Sequence, residues 1–164
     1  MIKTALLILL FSFCSSYGVL KNIAAQCRKR SLEAAGDSLF YLKNEIEFSN
    51  SDIYEAAKKT APRDKLGMFV YLQNKAFSPE ENYRYAKEKS KKRLCFDAGD
   101  WEILDSFFSS FGSLCKEAQT ESLKKTLSAL EKRLGDAEEY CAKYSKLYAS
   151  AGFLVGLFLV IILL

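Results

Sequence analysis

The side chains nearest to acid–base machinery are three carboxylate pairs, Glu45/Glu47, Glu80/Glu81 and Glu138/Glu139. Two carboxylates do such work when their environments push their proton affinities apart. These pairs sit on polar faces of helical patterns beside Lys and Arg, where a solvated face is expected instead. The cysteines are Cys14, Cys27, Cys95, Cys115 and Cys141. Their number is odd and no C-x-x-C occurs, so the spacing carries neither a dithiol nor a metal knuckle. The chain has no His. That removes Ser-His-Asp and Cys-His catalysis, His metal sites and histidine pH switching. No Walker A and no G-x-G-x-x-G is present to cradle a phosphate. The expectation is a protein that is not an enzyme, with no catalytic, cofactor-binding or metal residues, no cofactor and no small-molecule substrate.

What remains is recognition. Arg84, Lys87, Lys91, Lys92 and Arg93 are the candidate partner-binding residues, in a run that also holds Lys89 and is interrupted only by Glu88. Such a run suits an acidic protein patch or anionic lipid headgroups, or is simply a solvated face. Tyr83 and Tyr85 adjoin it, but no aromatic platform is spaced for stacking bases. With 24 basic against 20 acidic residues the net charge is only +4, far from the field of a nucleic-acid binder, and no nucleic-acid partner is expected. A second recognition pattern is Gly152-Phe153-Leu154-Val155-Gly156, whose glycines let another membrane helix approach closely; Gly18 is its counterpart near the other end.

These residues need elements to hold them. Thr4–Leu20 and Ala149–Leu164 contain no charged residue, while all 20 acidic and 23 of the 24 basic residues lie between Lys21 and Lys146. At the helical rise the two apolar stretches reach about 24–26 Å, close to the hydrocarbon thickness. The expected domains are an N-terminal transmembrane helix (1–20), a charged helical domain (21–148) and a C-terminal transmembrane helix (149–164). Lys21, Arg28, Lys29 and Arg30 follow the first span, and Lys143 and Lys146 precede the second. The positive-inside rule then places the middle in the cytoplasm. The alternative is a cleaved signal peptide ending near Ser16-Tyr17-Gly18, which makes the middle an exported, surface-anchored helical binding module. Scattered reduced thiols fit a cytoplasmic domain at least as well as two bridges fit an exported one.

The middle reads as all-α, an antiparallel bundle of about six helices whose first and last continue into the membrane. Ile23, Cys27, Leu32, Ala35, Leu39, Leu42 and Ile46 recur at helical spacing. Ser49-Asn50-Ser51 breaks the pattern, and a short helix runs from Asp52 to Thr60 before Pro62. A third is expected over 63–77. Ser78-Pro79-Glu80-Glu81 is a capped start for a fourth, to about Leu94. Asp97-Ala98-Gly99-Asp100 starts a fifth carrying Trp101, Leu104, Phe108 and Phe111. In the last, Leu123, Leu127, Leu130, Leu134, Ala137, Cys141, Tyr144, Tyr148 and Ala151 alternate spacings of 4 and 3, a heptad seam suited to an intramolecular contact.

Three stretches carry a family resemblance. Leu42 to Phe48 followed by Ile53 and Ala56, then Glu102-Ile103-Leu104 with Phe107, Phe111-Gly112 and Gln119, then Lys146-Leu147-Tyr148 through Gly152 and Gly156 to Leu164, follow one another in order. This set resembles the stage III sporulation protein AB family of endospore-forming bacteria. The resemblance implies a two-span membrane protein of the mother cell, in the outer forespore membrane, within a secretion-like complex joining mother cell and forespore. It also implies similarity to the cytoplasmic domain of the type II secretion platform protein F. The partners implied are the cytoplasmic ATPase of the set, stage III sporulation protein AA, other membrane components of the assembly, and membrane lipids. The role implied is a non-enzymatic, membrane-anchored adaptor that couples the ATPase to the membrane.

Overall fold

The computed structural model describes residues 2–49, 52–111 and 116–163. Toward the ends, the side chains of 1–11, 14–15, 145–146, 148–149, 151–153, 156, 159–160 and 162–164, and that of residue 116, lie outside the description. The chain is all-helical: α1 (Ile2–Ser49), α2 (Ile53–Thr60), α3 (Phe69–Leu72), α4 (Pro79–Ser90), α5 (Ala98–Phe111) and α6 (Lys116–Leu163), with a 3₁₀ turn at Ala61–Arg63. There is no strand among the described residues. Two compact units divide the chain, a terminal one (1–29 and 136–164) and a central one (30–135).

The central unit buries one face of each helix. On α1 this is Leu32, Ala35, Leu39, Leu42 and Ile46, none more than 1 % exposed, at the spacings the sequence predicts. On α5 it is Trp101, Leu104, Phe107, Phe108 and Phe111, and on α6 it is Leu123 and Leu130. Phe107 stacks edge-on against both Phe108 and Phe111, at 4.7 and 4.9 Å between centroids. Between α1 and α6, elements pack in chain order, α2 on α3, α3 on α4 and α4 on α5.

The expected third helix over 63–77 is replaced by a turn and a single short helix. Pro62 ends α2 in the 3₁₀ turn. Asp64 then captures the backbone ahead of α3. Its Oδ2 accepts from the amides of Met68 and Phe69, both at 2.7 Å, and its Oδ1 from Leu66 at 2.9 Å and from the Ser38 hydroxyl at 2.8 Å. Gly67 takes a left-handed φ of 65° inside that loop, which few side chains tolerate. A helical pattern of apolar residues therefore bends into a loop, because a carboxylate satisfies the donors a helix would have paired.

The other boundaries follow capping chemistry. Asp52 caps α2 by accepting from Glu55 at 2.8 Å; the break expected at Asn50 and Ser51 lies outside the described residues. Asp97 and Asp100 form a reciprocal box at the start of α5, each carboxylate accepting the other's amide, at 2.8 and 3.0 Å. Asp100 is fully buried and meets Arg133 Nε of α6 at 3.3 Å. Gln119 Nε2 of α6 donates to the Phe111 carbonyl at 3.1 Å.

In the terminal unit, Lys29 Nζ pairs with Glu138 at 3.0 Å, tying α1 to α6. Ala137 and Cys141, of the expected seam, are buried there. Large apolar side chains at both ends are exposed, among them Phe13, Leu20, Leu154 and Phe158. Among the described residues, no helix is long and apolar enough to cross a membrane. The side chains of much of both expected spans lie outside the description.

Of the two readings left open for the cysteines, reduced thiols or bridges, two residues follow the second. Cys27, expected as a small core residue, and Cys95 are each disulfide-bonded. Cys141 is a free, buried thiol, as its place on the seam predicts. Cys14 and Cys115 lie outside the residues whose side chains are described.

Candidate partner-binding surface

The basic run rides on α4, whose start is built by a capping box. The Ser78 hydroxyl accepts from the Glu81 amide at 3.2 Å, and Glu81 Oε2 accepts from the Ser78 amide at 2.9 Å. Pro79 fills the first turn, where its missing N–H costs nothing. The Ser78 amide, then the Ser78 hydroxyl, hold the Glu81 carboxyl below the ordinary glutamate range.

The cations named from sequence then separate by role. Arg84 pairs back to Glu80 at 2.7 Å along the same helix. Lys87 is a structural residue: its ammonium contacts both oxygens of Asp105 on α5 at 2.7 Å and lies 5.2 Å from the Trp101 ring centroid. Tyr83 donates to the same Asp105 at 2.7 Å while stacking on Phe108 at 4.3 Å. Burial first, and then the Asp105 hydrogen bond, push the Tyr83 phenol well above its usual range. Arg93, although exposed, is also engaged, donating to the Leu66 carbonyl and covering Gly67.

Two of the five are exposed and unpaired among the described residues. Lys91 caps the end of α4 and Lys92 follows in the turn; both are exposed, and no carboxylate among the described residues pairs with either. Lys89 joins them: its ammonium meets no described carboxylate and sits 5.4 Å from the Tyr85 ring centroid. The surface cation cluster is thus Lys89, Lys91 and Lys92, not the full run. Of the candidate membrane-packing glycines, Gly18 is buried within α1. Gly152 and Gly156 lie within α6, and their surroundings are outside the described residues.

Beside this cluster is a groove that no motif in the sequence marks. Between α3 and α4 lies an open cleft of about 580 Å³ lined by Val70, Tyr71, Phe77 and Tyr85, together with Asn74, Asn82 and Glu81. Val70, Phe77 and Tyr85 are each more than half exposed. Tyr71 and Tyr85 meet edge to face at 5.4 Å. Asn82 is 5 % exposed; its amide nitrogen donates to the Asn74 carbonyl at 2.7 Å, and its own carbonyl oxygen has no partner among the described residues. The signal was present as Val70, Tyr71, Phe77 and Tyr85 close in sequence. It was unreadable while 63–77 passed for one helix.

Of the six carboxylates considered for acid–base work, all but Glu139 are tied into structural contacts among the described residues. Glu45 pairs with Lys59 at 2.7 Å and Glu47 with Lys43 at 3.6 Å; Glu80 and Glu81 serve Arg84 and the α4 cap, and Glu138 serves Lys29. No cluster of His, Cys, Asp or Glu among the described residues is arranged to hold a metal ion.

Comparison with known proteins places the chain in a family. The family model described as stage III sporulation protein AB matches residues 3–164. The chain belongs to this family. A curated relative, stage III sporulation protein AB of Bacillus subtilis (strain 168), is 28 % identical over 146 residues, covering 84 % of this chain and 84 % of the relative. No solved structure matches. The residues that carried the resemblance are mostly structural: Leu42, Ile46, Ala56, Leu104, Phe107 and Phe111 are core, and Glu45 and Gln119 join elements. None belongs to the groove or to the cation cluster.

Proposed function

We propose that this sporulation stage III protein is a non-enzymatic, membrane-anchored adaptor that couples the cytoplasmic ATPase of its assembly, stage III sporulation protein AA, to the membrane. The observation that carries the reading is the exposure of Phe13, Leu20, Leu154 and Phe158 at both ends of a chain whose charges all but one lie between. Large apolar side chains exposed together mark a surface meant for lipid or for another protein. In this reading α1 and α6 enter the outer forespore membrane as an antiparallel pair, and the central unit meets the ATPase and the other membrane components through exposed cations. The chain passes between the terminal and central units within α1 and again within α6, so in this reading force from an ATP-driven partner travels along two helical segments.

A flexible Gly-Ser insert after Lys146 tests the coupling. The expected result is loss of spore formation with membrane insertion intact; normal sporulation would refute it. Co-purification of the full chain with the ATPase from detergent, with and without Lys89→Glu, Lys91→Glu and Lys92→Glu together, tests the partner. Arg93 is left alone because it supports the loop at Gly67.

One observation favours the second reading, in which the middle of the chain is exported. Cys27 and Cys95 are disulfide-bonded, and disulfides persist where the compartment is oxidising. Trapping thiols with a membrane-permeant alkylating agent in sporulating cells separates the two. Both cysteines alkylated without prior reduction supports the cytoplasmic adaptor; both blocked until reduction supports the exported module.

A further inference from the structure

We propose that the groove between α3 and α4 receives an acidic amphipathic helix of a partner protein, anchored by one Trp or Tyr side chain. This goes beyond the adaptor reading, because it concerns the chemistry of the docked segment and holds whichever protein carries it.

Three features meet at this place. Val70, Phe77 and Tyr85 leave apolar area in water beside a concave wall, an arrangement that suits a buried aromatic anchor. In the lining, Asn82 holds an acceptor oxygen without a described partner although the residue is 5 % exposed. An anchor with both a ring and a donor satisfies wall and acceptor together, which selects Trp or Tyr over Leu or Phe. The carboxylate in the lining, Glu81, is engaged by Ser78 in the α4 cap, and the cations lie along the helix from the groove. Lys89 is one turn beyond Tyr85, about 6 Å on at the helical rise, and Lys92 follows in the turn just past the end of α4. No described carboxylate answers them, whereas Arg84 and Lys87 of the same helix are already paired. A helix laid along α4 therefore presents carboxylates about four and seven residues from its anchor. A second copy of this chain fits less well, since the carboxylates near its exposed Phe40 and Phe48, Glu45 and Glu47, are engaged by Lys59 and Lys43.

The test uses the full chain in detergent micelles and labelled helical peptides of about 16 residues. Two carry a single Trp with Glu four and seven residues after it, or before it, because the direction of docking is open. Their siblings replace Glu by Lys, or Trp by Ala. Binding is followed by fluorescence anisotropy. One acidic peptide is expected to bind and its siblings to bind at least about fivefold more weakly, with affinity falling between ~50 and ~300 mM salt. Tyr85→Ala, an exposed position whose loss leaves the core intact, is expected to weaken it about tenfold. Lys89→Glu with Lys92→Glu is expected to reverse the preference toward the Lys peptide. Neither acidic peptide binding, equal binding of acidic and basic siblings, or indifference to Tyr85→Ala would each overturn the proposal. ATPase association without peptide binding removes this inference alone; peptide binding without ATPase association removes the adaptor reading alone.

Discussion

Replacing Asp64 should loosen the wall of the groove, and two replacements should do so by different amounts. Asp64 sits where a helix would otherwise have continued, and four donors converge on its carboxylate: the amides of Leu66, Met68 and Phe69 and the hydroxyl of Ser38. In Asp64→Ala all four bonds go. The site is half-buried, so water relieves part of the loss, and about 1 kcal/mol for each of three orphaned amides is the lower end of the usual cost. With the hydroxyl bond the sum is about 3–4 kcal/mol. In Asp64→Asn the remaining carbonyl oxygen still serves Met68 and Phe69, and the amide nitrogen can donate to Ser38. Only Leu66 loses its acceptor, and it retains a weak contact to the Ser38 hydroxyl at 3.4 Å. That variant should cost about 1.5–2 kcal/mol, including lost charge assistance. Urea unfolding of the full chain in detergent, followed by circular dichroism, measures both, and an unchanged slope shows that the change is one of stability. Hydrogen exchange at the Leu66 amide should quicken in both variants, but at Met68 and Phe69 mainly in Asp64→Ala. Equal costs for the two, or less than about 0.5 kcal/mol for either, would refute the view that this carboxylate organises the loop.

Other outcomes follow from contacts already described. Tyr83→Phe removes the donor to Asp105 and should cost about 1.5–2 kcal/mol at neutral pH in the same unfolding assay. The folded phenol titrates above its unfolded value, so its contribution is whole below about pH 10 and declines as pH rises beyond it; the Phe variant should show a flatter alkaline limb. Glu81 runs the other way. Its folded carboxyl is held low, so its support of α4 is present above about pH 4.5 and is lost as pH falls through the lower folded value, and Glu81→Gln should flatten that acid limb. Gly67→Ala asks a Cβ to sit at a φ of 65° and 2.8 Å from the Arg93 guanidinium; thermal unfolding should register about 1–2 kcal/mol of destabilisation.

Periodic residues were legible and captured ones were not. Leu32 to Ile46 and Trp101 to Phe111 announced their buried faces because burial on one side of a helix leaves a 3.6-residue rhythm. Ser78 and Glu81 announced the start of α4 because a capping box is local. The loop at 64–68 was hidden because its cause is Asp64 collecting amides up to five residues ahead and a hydroxyl 26 residues behind. The cation run misled for a related reason. Charge counts a Lys equally whether it faces water, as Lys91 does, or completes an ion pair on the next helix, as Lys87 does with Asp105. The groove depends on where α3 stops, so it could not be read before that loop was known.

Neighbour-to-neighbour packing from α2 through α5 also bears on how the molecule comes into being. Contacts between elements adjacent in the chain close short loops, which cost little entropy and form quickly. The middle of the polypeptide can thus begin to assemble as it leaves the ribosome, before α6 has been synthesised and while the apolar leading end is still being handled. Pulse-labelled exchange should find amides of α4 and α5 protected ahead of those in α6. A nascent chain that organises its own centre early keeps Trp101 and the phenylalanines of α5 from the encounters that lead to aggregation.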